Sequence, residues 1–493
     1  MNRFMLGAIS AAVIGLAGCG SLRPEFKQPA VDTPDAFARD FQSLPESERG
    51  SWKKAEPAES QPRGEWWKAF GDPVLDGLEA EAMKGSPALQ AAAARVRQSR
   101  AILGIVDADR GPQVSVSAGP VATRSSPASL GLPPGTDVPA RTLWRAPVIA
   151  SYEVDLFGRL KDNTAAARSD VESAEATYRS ITLALQADLA RTYLELREVD
   201  AEIVILLEAL KSREANLMLL ERRLEAGAIG EIDVVRARAE VATTKAQYQA
   251  ADGRRVRLEN AVAVLVGRPP ARLRVESAGK PVEAPVIPAG LPSTLLERRP
   301  DIVAAQRVLV ANNARIGVAK AAFFPSIRLT GMAGFESDAL GDLFRWSSRT
   351  WFLGPFIGGI VNVPILDGGR NRATLERARA AYEESVADYR QRVLSAFGEV
   401  EDALAGLRSL ALQAESTREL VVAARRAAQL ARLRYDAGAT SYLEVLDAQR
   451  TALDAEREAN RVRGAQTQGT VALIRALGGG WGAAETPVAA GGR

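Results

Sequence analysis

The chain has 493 residues and carries 63 lysines and arginines against 60 aspartates and glutamates, a balance that does not favour nucleic-acid binding. It has no histidine, which removes the usual general base of a serine or cysteine nucleophile and the commonest transition-metal ligand. The sequence has no GxSxG, phosphate-loop or clustered metal-ligand spacing, so we expect neither an enzyme nor a bound metal or other cofactor.

The N-terminal residues predict an export signal. A basic start, MNR, precedes a short apolar run and small residues that end at Cys19. The run is shorter than the roughly 20 apolar residues of a membrane-spanning helix. The letters LAGC at 16–19 resemble the bacterial lipoprotein signal, in which cleavage occurs before a lipid-modified cysteine. We predict a signal peptide at 1–18 and N-acyl and S-diacylglycerol groups on Cys19.

Cys19 is the only cysteine, so an intrachain disulfide is excluded and a free thiol is the competing interpretation. Each buried acyl CH₂ contributes about 0.8 kcal/mol, so several acyl chains would anchor the N-terminus permanently. Gly20, rather than an aspartate, follows the cysteine, which in the lipoprotein pattern favours the outer membrane. Residues 19–65, with scattered prolines and charges, are interpreted as a lipidated extended arm.

The body of the chain is a duplication. RLEAGAIGEIDVVRARAE at 223–240 is repeated as RYDAGATSYLEVLDAQRT at 434–451, an offset of 438 − 227 = 211. So long a period indicates two related halves rather than an array of short repeats. We assign 66–280 to the first repeat and 281–481 to the second, and predict a disordered Gly-rich tail at 482–493.

Each repeat predicts the same order of elements. Helices at 87–109 and 300–322 precede alternating strands at 113–119 and 326–331. A second strand of the first repeat is two-faced. One face carries Val148, Ala150, Tyr152, Val154 and Leu156, and the other carries Ser151, Glu153 and Asp155. Each repeat therefore supplies two strands, and one chain supplies four.

The loop between the strands of the second repeat is rich in aromatic residues, namely Phe344, Trp346, Trp351, Phe352 and Phe356. This density suits the aromatic girdle of a membrane interface. An aromatic mini-core at the end of a soluble sheet explains the composition equally well.

A long helix follows the strands, because residues 159–226 contain neither glycine nor proline and span roughly 100 Å at 1.5 Å per residue. Heptad steps from Leu189 give an apolar seam interrupted by Asp200, Glu214 and Glu221. The pattern is typical of coiled-coil packing in which part of the seam meets water or a partner charge. A two-stranded rod explains it almost as well as a water-filled tube.

Each long helix ends at an AGA turn, at 226–228 and at 437–439, where glycine supplies the positive φ of a helix C-terminus. Helices at 231–266 and 441–477 then return, so each repeat forms an antiparallel helical hairpin. An open four-stranded sheet cannot stay in lipid with unpaired edges, and closed barrels need at least about eight strands. A membrane location therefore requires several copies.

Three segments resemble one family: WWKAFGDPVLDGLEAEAMKGSPALQAAAARV from Trp66, LPSTLLERRPDIVAAQRVLVANNARIGVAKAAFFPSIRLTG from Leu291, and YLEVLDAQR after Ser441. The chain is similar over essentially its whole length to outer membrane factors of the TolC and OprM type, in particular the lipoprotein NodT branch. The resemblance implies a mainly α fold with a small β portion. It also implies a homotrimer with a shared 12-stranded outer-membrane β-barrel joined to a periplasmic α-helical barrel.

The resemblance further implies a function. Such a trimer is the passive exit duct of a tripartite efflux pump for drugs or other toxic small molecules. An inner-membrane pump, usually of the resistance-nodulation-division class, passes cargo to it through a periplasmic adaptor. We therefore expect a non-enzymatic, lipid-anchored outer-membrane protein that extends into the periplasm.

In the OprM-like pattern, a leucine ring and an aspartate ring close the periplasmic end, and they fall here on Leu443 and Asp447. The spacing of i to i+4 lets both face one lumen. Their counterparts in the first repeat are Ile232 and Arg236, so we expect the two hairpins to act unequally at closure. The alternative is that Asp447 is a solvated or arginine-paired position on a helix.

By the same resemblance, the hairpin tips at Gly227, Ala228, Gly438 and Ala439 are the expected adaptor contacts, because small residues permit close approach. Their simpler role is to form the turns. Three other protein classes are alternatives for this sequence: a coiled-coil lipoprotein without a pore, an adaptor lipoprotein, and a surface enzyme. The strand pairs oppose the first, the two equivalent halves oppose the second, and the missing histidine opposes the third.

Overall fold

A computed structural model of the chain describes residues 20–31, 65–279, 282–285, 299–353 and 359–479. The predicted signal peptide, Cys19, Phe356, the tail and most of the arm lie outside these residues. The chain divides into two compact units. We call residues 1–30, 95–175 and 304–389 the sheet unit, and residues 31–94, 176–303 and 390–493 the hairpin unit.

The described residues form seven α-helices, and their bounds repeat between the halves. They are α1 (Pro73–Gly85), α2 (Pro87–Ala108), α3 (Arg159–Glu225), α4 (Glu231–Leu265), α5 (Pro300–Ala321), α6 (Arg370–Asp436) and α7 (Tyr442–Ala476). Helices α3 and α6 each have 67 residues, and α4 and α7 each have 35. Within the described ranges, none of the helices is both long enough and apolar enough to cross a membrane.

Each of the two 67-residue helices is capped at its N-terminus by an aspartate carboxylate. The Asp155 carboxylate accepts hydrogen bonds from the backbone N–H groups of Leu160 and Lys161, at 3.1 and 2.8 Å. The Asp367 carboxylate likewise accepts from the N–H groups of Gly369 and Asn371, at 2.9 and 2.8 Å. Because the first N–H groups of a helix have no partner within it, each carboxylate fixes where its helix leaves the sheet.

An antiparallel sheet lies in the sheet unit. Its strands are β1 (Gln113–Val116), β2 (Gly119–Thr123), β3 (Arg141–Val154), β4 (Ser326–Ser337), β5 (Arg349–Leu353) and β6 (Gly359–Asn362). Strands β1 and β2 both pair with β3, β3 pairs with β4, and β5 and β6 both pair with β4. The six described segments therefore lie in four rows, which agrees with the four strands predicted.

The strand bounds differ from the prediction. Strand β3 begins at Arg141, well before Val148, and ends at Val154, so Leu156 lies beyond it. Strand β4 continues to Ser337 instead of residue 331 because it pairs with β3 over its whole length beyond Ser326. Pairing with a long neighbour extends a strand past the point where its own alternation is clear.

The register sorts the side chains of the sheet into an apolar and a polar face. The apolar face includes Val114, Val116, Trp144, Ala146, Val148, Ala150, Tyr152, Val154, Ile327, Leu329, Ala333, Phe335, Trp351, Leu353 and Val361. Its residues are largely uncovered, with Val116 72% and Trp351 75% exposed. On the polar face, Arg145 pairs with Glu336 at 2.6 Å. The face assignment predicted for Val148 to Val154 is confirmed.

The hairpin unit buries the first part of the heptad seam of α3. Farther along the helix, the buried positions no longer coincide with the heptad positions. Heptad steps of four and three from Leu189 reach Tyr193 and, farther along, Leu207. Leu189 and Tyr193 are fully buried, as predicted, but Leu207 is exposed. The buried positions shift to Leu206 and Leu220. An α-helix has 3.6 residues per turn, so a strict 3.5-residue repeat drifts by about 20° per heptad and leaves the packed face.

The three acids of the seam meet partner charges or water, as expected. Asp200 is fully buried and accepts a hydrogen bond from Arg255 Nε at 2.7 Å. Glu221 pairs with Arg238 at 2.8 Å. Glu214 is exposed.

In the sheet unit, residues of the segment 20–31 form hydrogen bonds with three helices. The Ser21 hydroxyl lies 2.6 and 2.7 Å from the two carboxylate oxygens of the buried Asp162 on α3. The side-chain amide of Asn313 on α5 donates to the carbonyl of Pro24 at 2.9 Å. The Gln28 amide donates to the Tyr389 hydroxyl on α6 at 2.9 Å.

We expect Gly317→Ala to release the segment 20–31. An added Cβ would come within 2.8 Å of Arg23 Cβ and would also overlap the Asp162 carboxylate. Overpacking of this kind costs roughly 1–3 kcal/mol. Trypsin should then cleave after the exposed Lys27 at least about fivefold faster than in the parent. Mass spectrometry of timed digests measures this, and Gly104→Ala, where the new Cβ meets open space, is the control. Unchanged cleavage would show that the segment is not held there.

In the hairpin unit, α1 buries a carboxyl group that has no hydrogen-bond partner among the described residues. Neither oxygen of Glu79 has a partner, and the side chain is fully buried. Burial first, and the nearby Asp76 charge second, raise the pKa of Glu79 to about 9. The folded state therefore keeps a proton that the unfolded chain releases above its ordinary pKa of 4.5. Stability contributed by this group falls as pH rises from about 4.5 to 9, by about 1.4 kcal/mol per pH unit.

Glu79→Gln should stabilise the protein at pH 8.5 and much less at pH 5, because the amide is uncharged in both states. Thermal unfolding midpoints of variant and parent at the two pH values test this. Glu214→Gln, which changes an exposed carboxylate, is the matched control. Parallel pH curves for parent and Glu79→Gln would contradict the buried neutral carboxyl.

Candidate functional site

The predicted gate residues lie together on one face of the first turns of α7. The Leu443 residue is 41% exposed, and the Asp447 side chain is 63% exposed. One helical turn separates them, so they are neighbours along the same exposed stripe. The buried residues of this turn, Tyr442, Val445 and Leu446, point the other way.

The buried face of α7 packs against the first helical hairpin. Tyr442, Val445 and Leu446 share a hydrophobic cluster with Leu220 of α3 and with Val234 and Ala237 of α4. The position of the gate stripe is therefore set by packing across the two halves of the duplication.

A polar contact between the hairpins accompanies this cluster. The Asn216 side chain on α3 donates to the Tyr442 hydroxyl at 2.5 Å, and Arg432 on α6 donates to the Asn216 carbonyl oxygen at 2.5 Å. Burial raises the pKa of Tyr442 to about 12. The phenol is therefore uncharged at neutral pH and holds α7 through a hydrogen bond to the first hairpin.

Glu240 on α4 forms the second polar link, which we call the Glu240 latch. Its buried carboxylate lies 3.0 Å from Arg213 Nη1 and accepts a hydrogen bond from Arg450 Nε of α7 at 2.7 Å. The bond to Glu240 raises the pKa of Arg450. The carboxylate is thus bound by one cation within the first hairpin and by one from α7, so it joins the two hairpins.

Among the described residues, Asp447 has only a loose ion-pair partner. Its nearest cation is Arg450 Nη1 at 3.7 Å, and Arg450 is engaged more closely by Glu240. The counterparts in the first hairpin differ, since Ile232 is exposed and Arg236 lies 4.0 Å from Asp233. Equivalent positions of the two hairpins therefore carry an acid, Asp447, on α7 and a base, Arg236, on α4.

The two hairpin tips have the same turn geometry. Gly227 and Gly438 have φ values of 69° and 74°. The N–H groups of Ala228 and Ala439 each donate back to a helix carbonyl, of Arg223 and Arg434, at 2.8 Å. These are Schellman helix ends, in which glycine is needed for its positive φ. All four small residues are exposed, and a Cβ added at either glycine would meet open space.

The predicted interface aromatics are divided by the sheet register. Trp351 lies on the apolar face beside Ala333. Phe352, the next residue, lies on the polar face. Trp346 is 75% exposed in the β4–β5 loop, and Phe356 is outside the described residues. Trp346 and Trp351 are thus exposed, Trp351 on the apolar face, while Phe352 lies on the opposite face of the sheet.

Asn216, Glu240 and Arg450 were missed by the sequence reasoning. Glu240 ends the quoted repeat segment, where offset 211 places Thr451 in the second half. A charge present in only one copy of a duplicated segment was the available signal. In the described parts of the chain, no three His, Cys, Asp or Glu side chains are grouped so that they could hold a metal ion.

Comparison with known proteins identifies the sequence family. The profile of the family described as "Outer membrane efflux protein" matches residues 78–268 and 291–479, one match per repeat. The "Probable outer membrane lipoprotein SilC" of Salmonella typhimurium is 32% identical, covering 98% of this chain and 100% of SilC. The "Toluene efflux pump outer membrane protein TtgF" of Pseudomonas putida is 34% identical, covering 96% of each. The outer-membrane channel OprN superposes with a TM-score of 0.83 at 31% identity, covering 94% of this chain and 100% of OprN.

Proposed function

This chain belongs to the outer membrane efflux protein family, and we propose that three copies assemble into one exit duct through the outer membrane. As a member of this family it is a channel component of an efflux system in the outer membrane, and it works with other pump components. Each copy would contribute four strand rows, so three copies give 3 × 4 = 12. The helical hairpins would form the periplasmic part of the duct.

The observation that best supports a membrane-spanning duct is the two-faced sheet. Its apolar face is uncovered and its opposite face bears ion pairs such as Arg145–Glu336, which is the arrangement of a barrel between lipid and water. The outer rows, β1–β2 and β5–β6, each have an edge without a strand partner in the described chain. In a bilayer those edge groups need partners, and neighbouring copies supply them.

The finer assignments rest on the resemblance together with this geometry. We propose that Cys19 is acylated and anchors the segment 20–31 to the membrane. We propose further that the tips at Gly227, Ala228, Gly438 and Ala439 bind a periplasmic adaptor, because their backbones are exposed and unobstructed. The adaptor would connect the duct to an inner-membrane pump of the resistance-nodulation-division class. The duct itself would carry out no chemistry on its cargo.

We propose that Leu443 and Asp447 form the closed gate. Three symmetry-related leucines would exclude water from a narrow lumen. Three aspartates about 8 Å apart would repel one another by roughly 2 kcal/mol per pair at an effective dielectric of 20, and this repulsion favours bound cations. The gate would thus be an apolar plug beside a cation-attracting ring.

Single-channel recordings of the acylated protein in planar bilayers test both rings. Leu443→Ala should raise the closed-state conductance at least about twofold, because it removes the apolar barrier. Asp447→Asn should lower the preference for cations. If both variants match the parent in conductance and selectivity, the gate assignment is wrong. If the parent does not enter the membrane, the duct itself is wrong.

The Glu240 latch should hold α7 in the closed position. Glu240→Gln removes the charge that holds Arg450, so we expect more frequent or longer openings in the same recordings. Because the Arg450 side chain is 52% exposed, this loss weakens the link by less than the breaking of a fully buried ion pair would. Glu221→Gln is the matched control, because the Glu221–Arg238 pair lies within the first hairpin. Equal open probabilities for the two variants would remove the latch from the gating mechanism.

A further inference from the structure

One basic residue interrupts the apolar face of the sheet. Among the described strand residues on that face, Arg349 is the only charged one. The other arginines, aspartates and glutamates of the described strands lie on the polar face, as Arg145 and Glu336 do. An arginine on a face this apolar needs an explanation, because a charge in hydrocarbon is strongly unfavourable.

Arg349 lies at the end of the apolar face farthest from the helices. It stands opposite Phe335 in the register, whereas Ile327 lies at the other end of β4. The eight residue steps between Ile327 and Phe335 span about 26 Å along the strand. This length is of the order of the apolar band of an outer-membrane barrel, about 25 Å. Arg349 therefore falls at the level where hydrocarbon gives way to headgroups.

Aromatic side chains surround this arginine. Its guanidinium carbon lies 3.0 Å from the centroid of the Trp346 ring, and its Nε donates to the Trp346 carbonyl at 2.7 Å. Phe344 contacts Phe335 edge to face, with ring centroids 5.6 Å apart. Trp351 follows two residues along the same strand face. The loop thus holds the guanidinium in one orientation at the edge of an apolar surface.

The outer nitrogens of Arg349 have no acidic partner in the described part of the chain. Arg345, also in the loop, differs because it pairs with Asp342 at 2.9 Å. Arg349 is exposed, and the bond from its Nε leaves both terminal NH₂ groups free of protein acceptors there. A planar guanidinium fork is matched by two oxygens of a phosphate.

We propose that Arg349, held by Trp346, binds the phosphate of an outer-leaflet lipid headgroup whose acyl chains lie on the apolar face. This inference rests on the proposed membrane location of the sheet. The charge selects the phosphate, and the adjoining apolar surface selects a lipid over a soluble phosphate ester. The site would fix the depth of the sheet at the outer face of the membrane.

Native mass spectrometry of the purified acylated protein, titrated with dioleoylphosphatidylglycerol, tests the site. Dioleoylglycerol, which has the same acyl chains and no phosphate, and inorganic phosphate are the comparison ligands. The parent should retain phosphatidylglycerol and not dioleoylglycerol, and Arg349→Gln should bind it about tenfold more weakly. Arg349→Lys should bind with intermediate affinity, because it keeps the charge without the planar fork. The control is Arg141→Gln, at the same end of the sheet on the polar face, and it should match the parent.

Three results would overturn the inference. They are equal affinity of parent and Arg349→Gln for phosphatidylglycerol, equal retention of dioleoylglycerol, and displacement of the lipid by millimolar inorganic phosphate, which would assign the site to a soluble anion. Pore formation by the same samples in planar bilayers separates this inference from the proposed function. If pores form and the lipid affinities are equal, only the phosphate site fails; if the parent never enters a bilayer, both fail.

Discussion

Backbone hydrogen bonding at the two edges of the sheet is the constraint on which the rest of the structure depends. Within the part of one chain that the structure describes, each outer row pairs on one side only. In water such edges can be solvated, but the uncovered apolar face assigns this sheet to lipid, where an unpaired N–H or C=O costs several kcal/mol. Closure among copies solves the edge problem. Such closure would also place the polar face of the sheet around a common interior.

The duplication supplies two scaffolds of equal size and different surface chemistry. Helices of 67 and 35 residues recur in both halves, and both tips end in the same glycine-dependent turn. The differences lie in a few side chains. Asp447 stands where the first half has Arg236, and Glu240 stands where the second half has Thr451. An ion pair can therefore join α4 to α7 through Glu240 and Arg450, while the acid at Asp447 remains exposed.

The sequence predicted those features that depend on local chemistry. Absence of glycine and proline over 159–226 located α3, and the AGA turns located both hairpin tips, because each signal acts within one helical turn. Alternation gave the faces of β3, but its start at Arg141 depends on pairing with β2, and the pairing from Trp144 onward is with β4, almost 200 residues away. The binding of Ser21 to Asp162 and the Glu240 latch were not predictable for the same reason. They join positions that only the folded chain brings together.

The exposed stripe of Leu443 and Asp447 has a physical meaning only in an assembly. In one chain, a leucine and an aspartate on the surface of a helix each meet water, and the loose approach of Arg450 to Asp447 changes little. In the proposed trimer symmetry would change their energies, because three leucines would exclude water from one another and three carboxylates would share one small volume. The Tyr442 hydrogen bond lies on the buried side of the same helix, and the Glu240 latch joins a buried carboxylate to the half-exposed Arg450. Closure would therefore be set by the balance between a lumen that repels its own charges and a buried contact that keeps α7 against the first hairpin.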